Sequence, residues 1–384
     1  MGTDPVGNRS TPQPLEDSEL MRIALGLAAR GLGATGSNPA VGCVLYRRDL
    51  GTAGRIVGRG WTQAGGRPHA ETEALNRAGD LARGATAYVT LEPCAHHGKT
   101  PPCAEALIAS GVGRVVIAVP DPDPRVNGAG IKMLEKAGIE VLTGEGAIEG
   151  SGQLAGYLKR VADGRPMVTV KVATSLDGKI ALHDGKSRWI TGSRAREQAH
   201  LMRARHDGIM VGLGTVVADD PELTCRLPGL AGRSPIRIIA DSRLRTPLTT
   251  KLAASAKQTP TWIIALDSAP AERKRAFADI GVEVIEIGAN SDGGPDTGAA
   301  LAALGERGLQ SVLVEGGGRL VASLLLAHAV DRLAWFRAPK AIGGDGVPAV
   351  AALGLYSMDD APRFRRIDTQ RVGEDILETY AVQA

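Results

Sequence analysis

The sequence of 384 residues has little of what marks several other classes of protein. Aromatic residues make up 3% of it, and its formal net charge is only +3. No basic run or basic amphipathic stretch stands out, so charge gives no argument for nucleic acid or a membrane as partner. No segment approaches the roughly 20 consecutive apolar residues of a membrane span. The most apolar stretch, residues 320–330, is too short, contains a histidine and reads as a buried helix. Four cysteines, of which Cys43 and Cys225 stand alone, make no disulfide framework, and a reducing cytoplasm is the expected compartment. Residues 1–17 are rich in Pro, Gly, Ser and Thr without an apolar core, which predicts a disordered tail and not a signal peptide.

What is present is enough for two compact domains. Apolar residues are 43% of the chain, an ordinary supply for buried cores, and 50 glycines point to many tight turns and backbone-lined sites.

The most specific signal is a split metal-site signature: Pro68-His69-Ala70-Glu71, then Glu92-Pro93-Cys94, then Pro101-Pro102-Cys103. One imidazole and two thiolates are three zinc ligands, which leaves a fourth coordination position for water. Zinc lowers the pKa of such a water to roughly 7, and a carboxyl group two residues after the histidine is free to carry protons. That is the wiring of a hydrolytic zinc deaminase, with His69, Cys94 and Cys103 as ligands and Glu71 as general acid/base. Each piece alone is common by chance; the combination carries the reading. Pro68 suits the first position of a helix, residues 87–91 read as a strand ending at Glu92-Pro93-Cys94, and Cys103 opens a helix whose dipole favours its thiolate. His96 and His97 are alternative ligands that the motif does not need.

Around this motif, a helix behind a Ser18 cap, strands at 41–46, 55–58 and 114–119, a helix at 130–137 and a strand at 139–142 predict a layered α/β domain. The loop from Asp121 to Gly128 follows a strand end, where α/β domains place ligands; Asn127 reads as a substrate contact or as an ordinary turn residue. Residues 147–161 look helical, and a fresh strand pattern begins at Met167. The second domain has no Gly-x-Gly-x-x-Gly opening a βαβ unit, which argues against a Rossmann fold. It offers instead a strand at 311–315, the turn Gly316-Gly317-Gly318, and a helix from Arg319, a geometry that aims backbone N–H groups at an anion.

Eight residues, Ala95 to Pro102, separate the two motif cysteines, where a nucleobase deaminase closes with Cys-x-x-Cys. With Asn38-Pro-Ala-Val-Gly-Cys43 and the run Glu92 to Cys103, this half resembles the deaminase domain of bacterial riboflavin-biosynthesis deaminase/reductases. Lys171 to Lys179, Ser187 to Gly192, Gly214 to Arg226 and Val314 to Arg319 resemble the reductase half of the same family, and the likeness covers roughly residues 18–380. The resemblance implies an α/β chain: a cytidine-deaminase-like three-layer domain at 18–147, a connecting segment at 148–165, and a dihydrofolate-reductase-like domain at 166–384. It implies Zn2+ in the first domain and NADPH in the second. Cofactor contacts would fall on Ala173, Trp189, Thr215, Asp219 and Ser242, and on the turn Gly317, Gly318, Arg319, Leu320, Val321, Ala322 and Ser323. Substrate contacts would fall on Ser187, Arg203, Leu223, Arg226 and Glu315.

The implied substrate is a small molecule, a phosphoribosylaminopyrimidine, with no nucleic acid or membrane partner and a homo-oligomer formed through the reductase domain. Arg203 and Arg226 suit a phosphate clamp, and Glu315 suits hydroxyl groups or a pyrimidine edge. Other readings stand beside these: Arg203 as a surface ion pair, Trp189 as core, and Lys99 and His97 as phosphate contacts or solvated loop residues. Lys171 and Asp177 read either as polar groups near a transferred hydride or as strand-end structural residues. A deaminase joined to a ligand-binding module without turnover, or a base editor of nucleic acid, are the competing functions.

Overall fold

A computed structural model describes residues 13–98 and 100–383; Lys99 and residues 1–12 of the predicted tail lie outside the described residues. The chain divides into two compact units, Met1–Leu158 and Lys159–Ala384.

The first unit is a five-stranded sheet in the order β2-β1-β3-β4-β5. Its strands are β1 (Gly42–Arg47), β2 (Arg55–Trp61), β3 (Thr86–Leu91), β4 (Arg114–Val119) and β5 (Glu140–Thr143). β1 runs antiparallel to β2 and β3, while β3, β4 and β5 are parallel. The run Arg-Val-Val-Ile-Ala-Val of β4 is buried after its first residue, as a strand covered on both faces must be. Helices α1 (Asp17–Ala28), α2 (Ala70–Ala78), α3 (Cys103–Ala109), α4 (Ala129–Lys136) and α5 (Ala147–Gln153) supply the covering layers, and α6 (Ala155–Asp163) leads into the second unit. Glycine at 60 lets α2 lie against β2, since a Cβ there would stand 2.0 Å from the carbonyl oxygen of Ala70. This close approach seats the start of α2, and His69 with it, on the sheet.

Three local expectations need correction. Ser18 lies inside the first turn of α1; the cap position belongs to Glu16, whose N–H donates to the Glu19 carboxylate at 3.0 Å. Pro68 is not the first helical residue, because its carbonyl accepts from Gln63 N–H in the preceding turn, and extended His69 caps a helix that starts at Ala70. Residues 147–161 form two helices that break at Leu154, behind Gly150 and Gly152, whose backbone freedom weakens a continuous helix.

In the second unit nine strands form one sheet, in the order β11-β10-β9-β8-β12-β6-β13-β16-β15. They are β6 (Met167–Thr174), β8 (Gly208–Gly212), β9 (Ile236–Ala240), β10 (Thr261–Leu266), β11 (Glu283–Ile287), β12 (Ser311–Glu315), β13 (Arg332–Arg337), β15 (Phe364–Val372) and β16 (Asp375–Val382). The short β7 (Lys179–Ala181) pairs with β14 (Val347–Pro348). Neighbours from β11 to β13 are parallel, and β16 and β15 close the sheet antiparallel. The helices are α7 (Ser193–Ala204), α8 (Leu213–Asp219), α9 (Lys251–Ala254), α10 (Ala271–Asp279), α11 (Thr297–Glu306) and α12 (Gly318–Leu326). Apolar cores lie against the sheet, one around Val170, Val312 and Leu304, another around Ile239, Ile263 and Phe277. The apolar stretch 320–330 is helical only to Leu326 and is buried along one face, through Val321, Ala322 and Leu324; Leu326 is exposed.

Candidate active sites

In the first unit the ends of three elements meet. His69 caps α2, Cys94 follows β3, and Cys103 is the first residue of α3. His69 Nδ1 stands 3.8 Å from Cys94 Sγ and 3.4 Å from Cys103 Sγ. The three ligand atoms lie within 4.8 Å of one another, a nitrogen and two sulfurs around one point. The Cys103 backbone N–H donates to Cys94 Sγ at 3.3 Å. Hydrogen bonding from Cys103 and His69 pulls the Cys94 thiol down to about 4 against its burial, while the same bond and burial push Cys103 up. This donor set fits zinc, which binds thiolate and imidazole in a closed tetrahedral group or with one open position.

Glu71 lies in the first turn of α2 and is 4% exposed; burial raises its carboxyl above the usual carboxylate value. A buried carboxyl that holds its proton more tightly suits proton transfer. His96 and His97 stay outside the ligand group. His97 is exposed, 3.5 Å from the Glu105 carboxylate, and His96 Nδ1 is buried without a partner. Asn127 lies in a turn at φ 31, in a loop anchored by Asp121, whose carboxylate accepts the Tyr157 hydroxyl at 2.9 Å.

The second unit carries a cleft of about 1890 Å³. It opens beyond the carboxyl ends of β6, β8, β9 and β12, where parallel α/β sheets place ligands. Ala173, Trp189, Thr215, Asp219, Ser242, Gly317, Gly318, Arg319, Leu320, Val321 and Ser323 line it, as do Ser187, Arg203, Leu223, Arg226 and Glu315. Ala322 does not line it and packs into the core beneath α12. The glycine turn has positive φ at Gly316 and Gly317, 86 and 81, and a Cβ at either would stand 3.2 or 3.3 Å from the Thr215 hydroxyl oxygen. Glu315 sits above it at the end of β12, paired in register with Lys171 of β6.

Arg203 reaches from α7 and grips Glu315 with two bonds, 2.7 Å from Nε and 2.9 Å from Nη2, and Lys171 Nζ is 3.7 Å from the same carboxylate. The pair is buried in the cleft wall and is no surface ion pair. Arg226 is exposed beside Glu222, so these two arginines are held differently. Trp189 is 63% exposed and therefore not core; Arg196 lies 4.4 Å over its ring. Asp177 accepts from Ser175 Oγ and from the N–H groups of Ile342 and Gly343, the pattern of a loop anchor.

Sequence reasoning assigned no role to Arg196 or Glu92. Arg196 becomes relevant only because α7 brings it over Trp189. Glu92 stood in the quoted motif, and its position just before a ligand was the available signal.

A two-sulfur, one-imidazole centre with an adjacent buried carboxyl is the centre of a zinc deaminase, and the glycine-lined cleft of a separate α/β unit is a second site, so the chain is built as a bifunctional enzyme. Comparison with known proteins gives the same division. Residues 14–119 match the cytidine and deoxycytidylate deaminase zinc-binding region, and residues 166–377 match the RibD C-terminal domain. The chain is 42% identical over 360 residues to the riboflavin biosynthesis protein RibD of Bacillus amyloliquefaciens, covering 94% of each. A solved structure of Acinetobacter baumannii RibD, form 1, superposes with a TM-score of 0.84 at 37% identity, over 96% of this chain and 99% of that one. A diaminohydroxyphosphoribosylaminopyrimidine deaminase/5-amino-6-(5-phosphoribosylamino)uracil reductase from Thermotoga maritima gives 0.81 at 34%, with the same coverage. The chain belongs to the RibD family, the bifunctional deaminase/reductases of riboflavin biosynthesis. Among the described residues no helix is long and apolar enough to cross a membrane.

Proposed function

We propose that residues 18–147 deaminate 2,5-diamino-6-(5-phosphoribosylamino)pyrimidin-4-one with zinc, and that residues 166–384 reduce the ribosyl chain of the resulting uracil to ribityl with NADPH, residues 148–165 connecting them. The observation that carries this is the convergence of His69 Nδ1 with the sulfurs of Cys94 and Cys103 beside buried Glu71.

His69, Cys94 and Cys103 would hold the metal. When bound, zinc supplies the Lewis acidity that makes water a nucleophile at neutral pH. The Glu71 carboxyl would carry a proton from the attacking water to the ring amine that leaves as ammonia. Burial of Glu71 supports this, because a carboxyl that holds its proton more tightly than an exposed one is better suited to pass it on.

In the second cleft NADPH supplies a hydride when bound. The N–H groups of the Gly316–Gly318 turn and the Thr215 hydroxyl would bind an anionic part of the cofactor, with Ala173, Trp189, Asp219, Ser242, Arg319, Leu320, Val321 and Ser323 around it. Glu315 accepts hydrogen bonds from substrate hydroxyl groups while Arg203 and Lys171 keep it ionised and fixed. Ser187, Leu223 and Arg226 complete the substrate side, with exposed Arg226 free to turn toward a phosphate.

The test is a single sample of purified protein with the diaminopyrimidine ribosylamine phosphate, in which ammonia and NADPH oxidation are followed together. Both should appear, and removal of zinc should stop both, because reduction waits on deamination. Ammonia without NADPH oxidation would refute the assignment of the second cleft.

A further inference from the structure

The residue two places before Cys94 is a buried carboxylate that the chemistry above does not use. Glu92 is 3% exposed, and its hydrogen bonds go to backbone amides. Oε2 accepts from Asp121 N–H and Gly128 N–H, each at 3.2 Å. Oε1 accepts from Gly130 N–H at 3.0 Å and Ile131 N–H at 3.3 Å. One side chain therefore gathers both ends of the loop from Asp121 to Gly128 and the first turn of α4. It ties them to the strand end that carries Cys94. The joint is tight from the other side as well: a Cβ at Gly130 would stand 2.1 Å from the Pro93 carbonyl oxygen. Cys94 then passes the constraint on, its carbonyl accepting from Ala104 N–H at 3.2 Å and its sulfur from Cys103 N–H at 3.3 Å.

We propose that Glu92 is a positioning residue of the deaminase: its carboxylate sets where Cys94 stands relative to the loop from Asp121 to Gly128, the strand-end loop that carries the candidate substrate contact Asn127, so the hold on metal and the hold on substrate depend on the same group. The proposal rests on the zinc reading of His69, Cys94 and Cys103. A carboxylate offers acceptors on both oxygens, which four amides require. A glutamine of the same shape keeps one acceptor oxygen and turns an N–H2 toward two N–H donors. The loop and the strand end must then separate, although size and burial are unchanged.

Full-length Glu92→Gln and Glu92→Asp, loaded with zinc, test this. Zinc release to excess chelator should be about tenfold faster in Glu92→Gln. The KM of the deaminase should rise more than kcat of the zinc-loaded protein falls, since Glu71 is untouched. Glu92→Asp, which keeps both oxygens on a shorter stem, should recover part of each loss. Reduction of the deaminated substrate should be unaffected, which confines the effect to the first unit. If Glu92→Gln does not accumulate, Gly130→Ala strains the same joint with Glu92 intact and should show the same two changes. Wild-type zinc release and KM in the folded variants, or a loss of thermal stability with neither change, would overturn the proposal. His69→Ala separates this from failure of the zinc reading: it should lose zinc, and if it keeps zinc the reading itself falls.

Discussion

Replacing Arg203 by alanine removes the guanidinium that grips Glu315 through bonds of 2.7 and 2.9 Å. The two side chains are only 14% and 11% exposed, so the carboxylate left behind stays desolvated. Breaking a buried pair from one side costs about 3–5 kcal/mol. Lys171 remains 3.7 Å away, which points to the lower end, about 3 kcal/mol. A second route gives the same size. Burial pushes the Glu315 carboxyl up, but the charges of Arg203 and then Lys171 outweigh it and hold it at about 2 against an ordinary 4.5. A carboxyl held that low contributes about 3 kcal/mol at neutral pH. Because the folded value lies below the unfolded one, the contribution is complete above pH 4.5 and is lost as pH falls toward 2. Without Arg203 burial regains weight, the carboxyl rises, and the advantage of wild type over Arg203→Ala should be full at pH 7 and shrink below 4.5. In a unit of this size about 3 kcal/mol is about 6–12 °C in midpoint. Tryptophan fluorescence reads it, since three of the four tryptophans, Trp189, Trp262 and Trp335, lie in the second unit. Reduction should fall steeply while ammonia release persists. Equal stability at pH 7, or a difference as large at pH 3 as at pH 7, would refute the reasoning.

Glu71→Ala should abolish ammonia release and leave reduction of the deaminated intermediate largely intact; equal loss of both activities would contradict the assignment of separate sites. Cys94→Ala or Cys103→Ala should purify with little zinc, measured by metal analysis, and consume NADPH only when given the deaminated intermediate. Gly60→Ala drives a Cβ to 2.0 Å from the Ala70 carbonyl, so it should shift α2 and cut ammonia release with reduction unchanged. Gly317→Ala, at φ 81, should raise the KM for NADPH by straining the turn, and an unchanged KM would remove the turn from the cofactor site.

The deaminase centre was legible residue by residue because metal ligation restricts residue type. His69, Cys94 and Cys103 have few substitutes with the same chemistry, and their flanking prolines and strand pattern place them at element ends. Arg203 and Glu315 were legible only as types suited to a substrate. They lie 112 positions apart, and no periodicity links a helix residue to a strand end at that distance. Local capping was less legible. Glu16 rather than Ser18 closes α1, and a turn bond takes Pro68 out of α2, because these choices depend on which N–H groups neighbouring segments leave unpaired.

By itself the sequence determined the class of chemistry, since the donor types and their order select a metal and a proton carrier before any fold is known. It also determined the alternation of strands and helices in the first half and the strand, turn and helix around Gly316–Gly318 in the second, because burial on two sheet faces writes itself into apolar runs. Only tertiary structure decided which groups face one another: that Arg203 holds Glu315 inside a cleft wall, that Trp189 is open beneath Arg196, and that Glu92 ties four amides to the strand end before Cys94. The reason is physical. Ligand chemistry is a property of a side chain, whereas a buried charge takes its partner from whichever elements the core packs beside it.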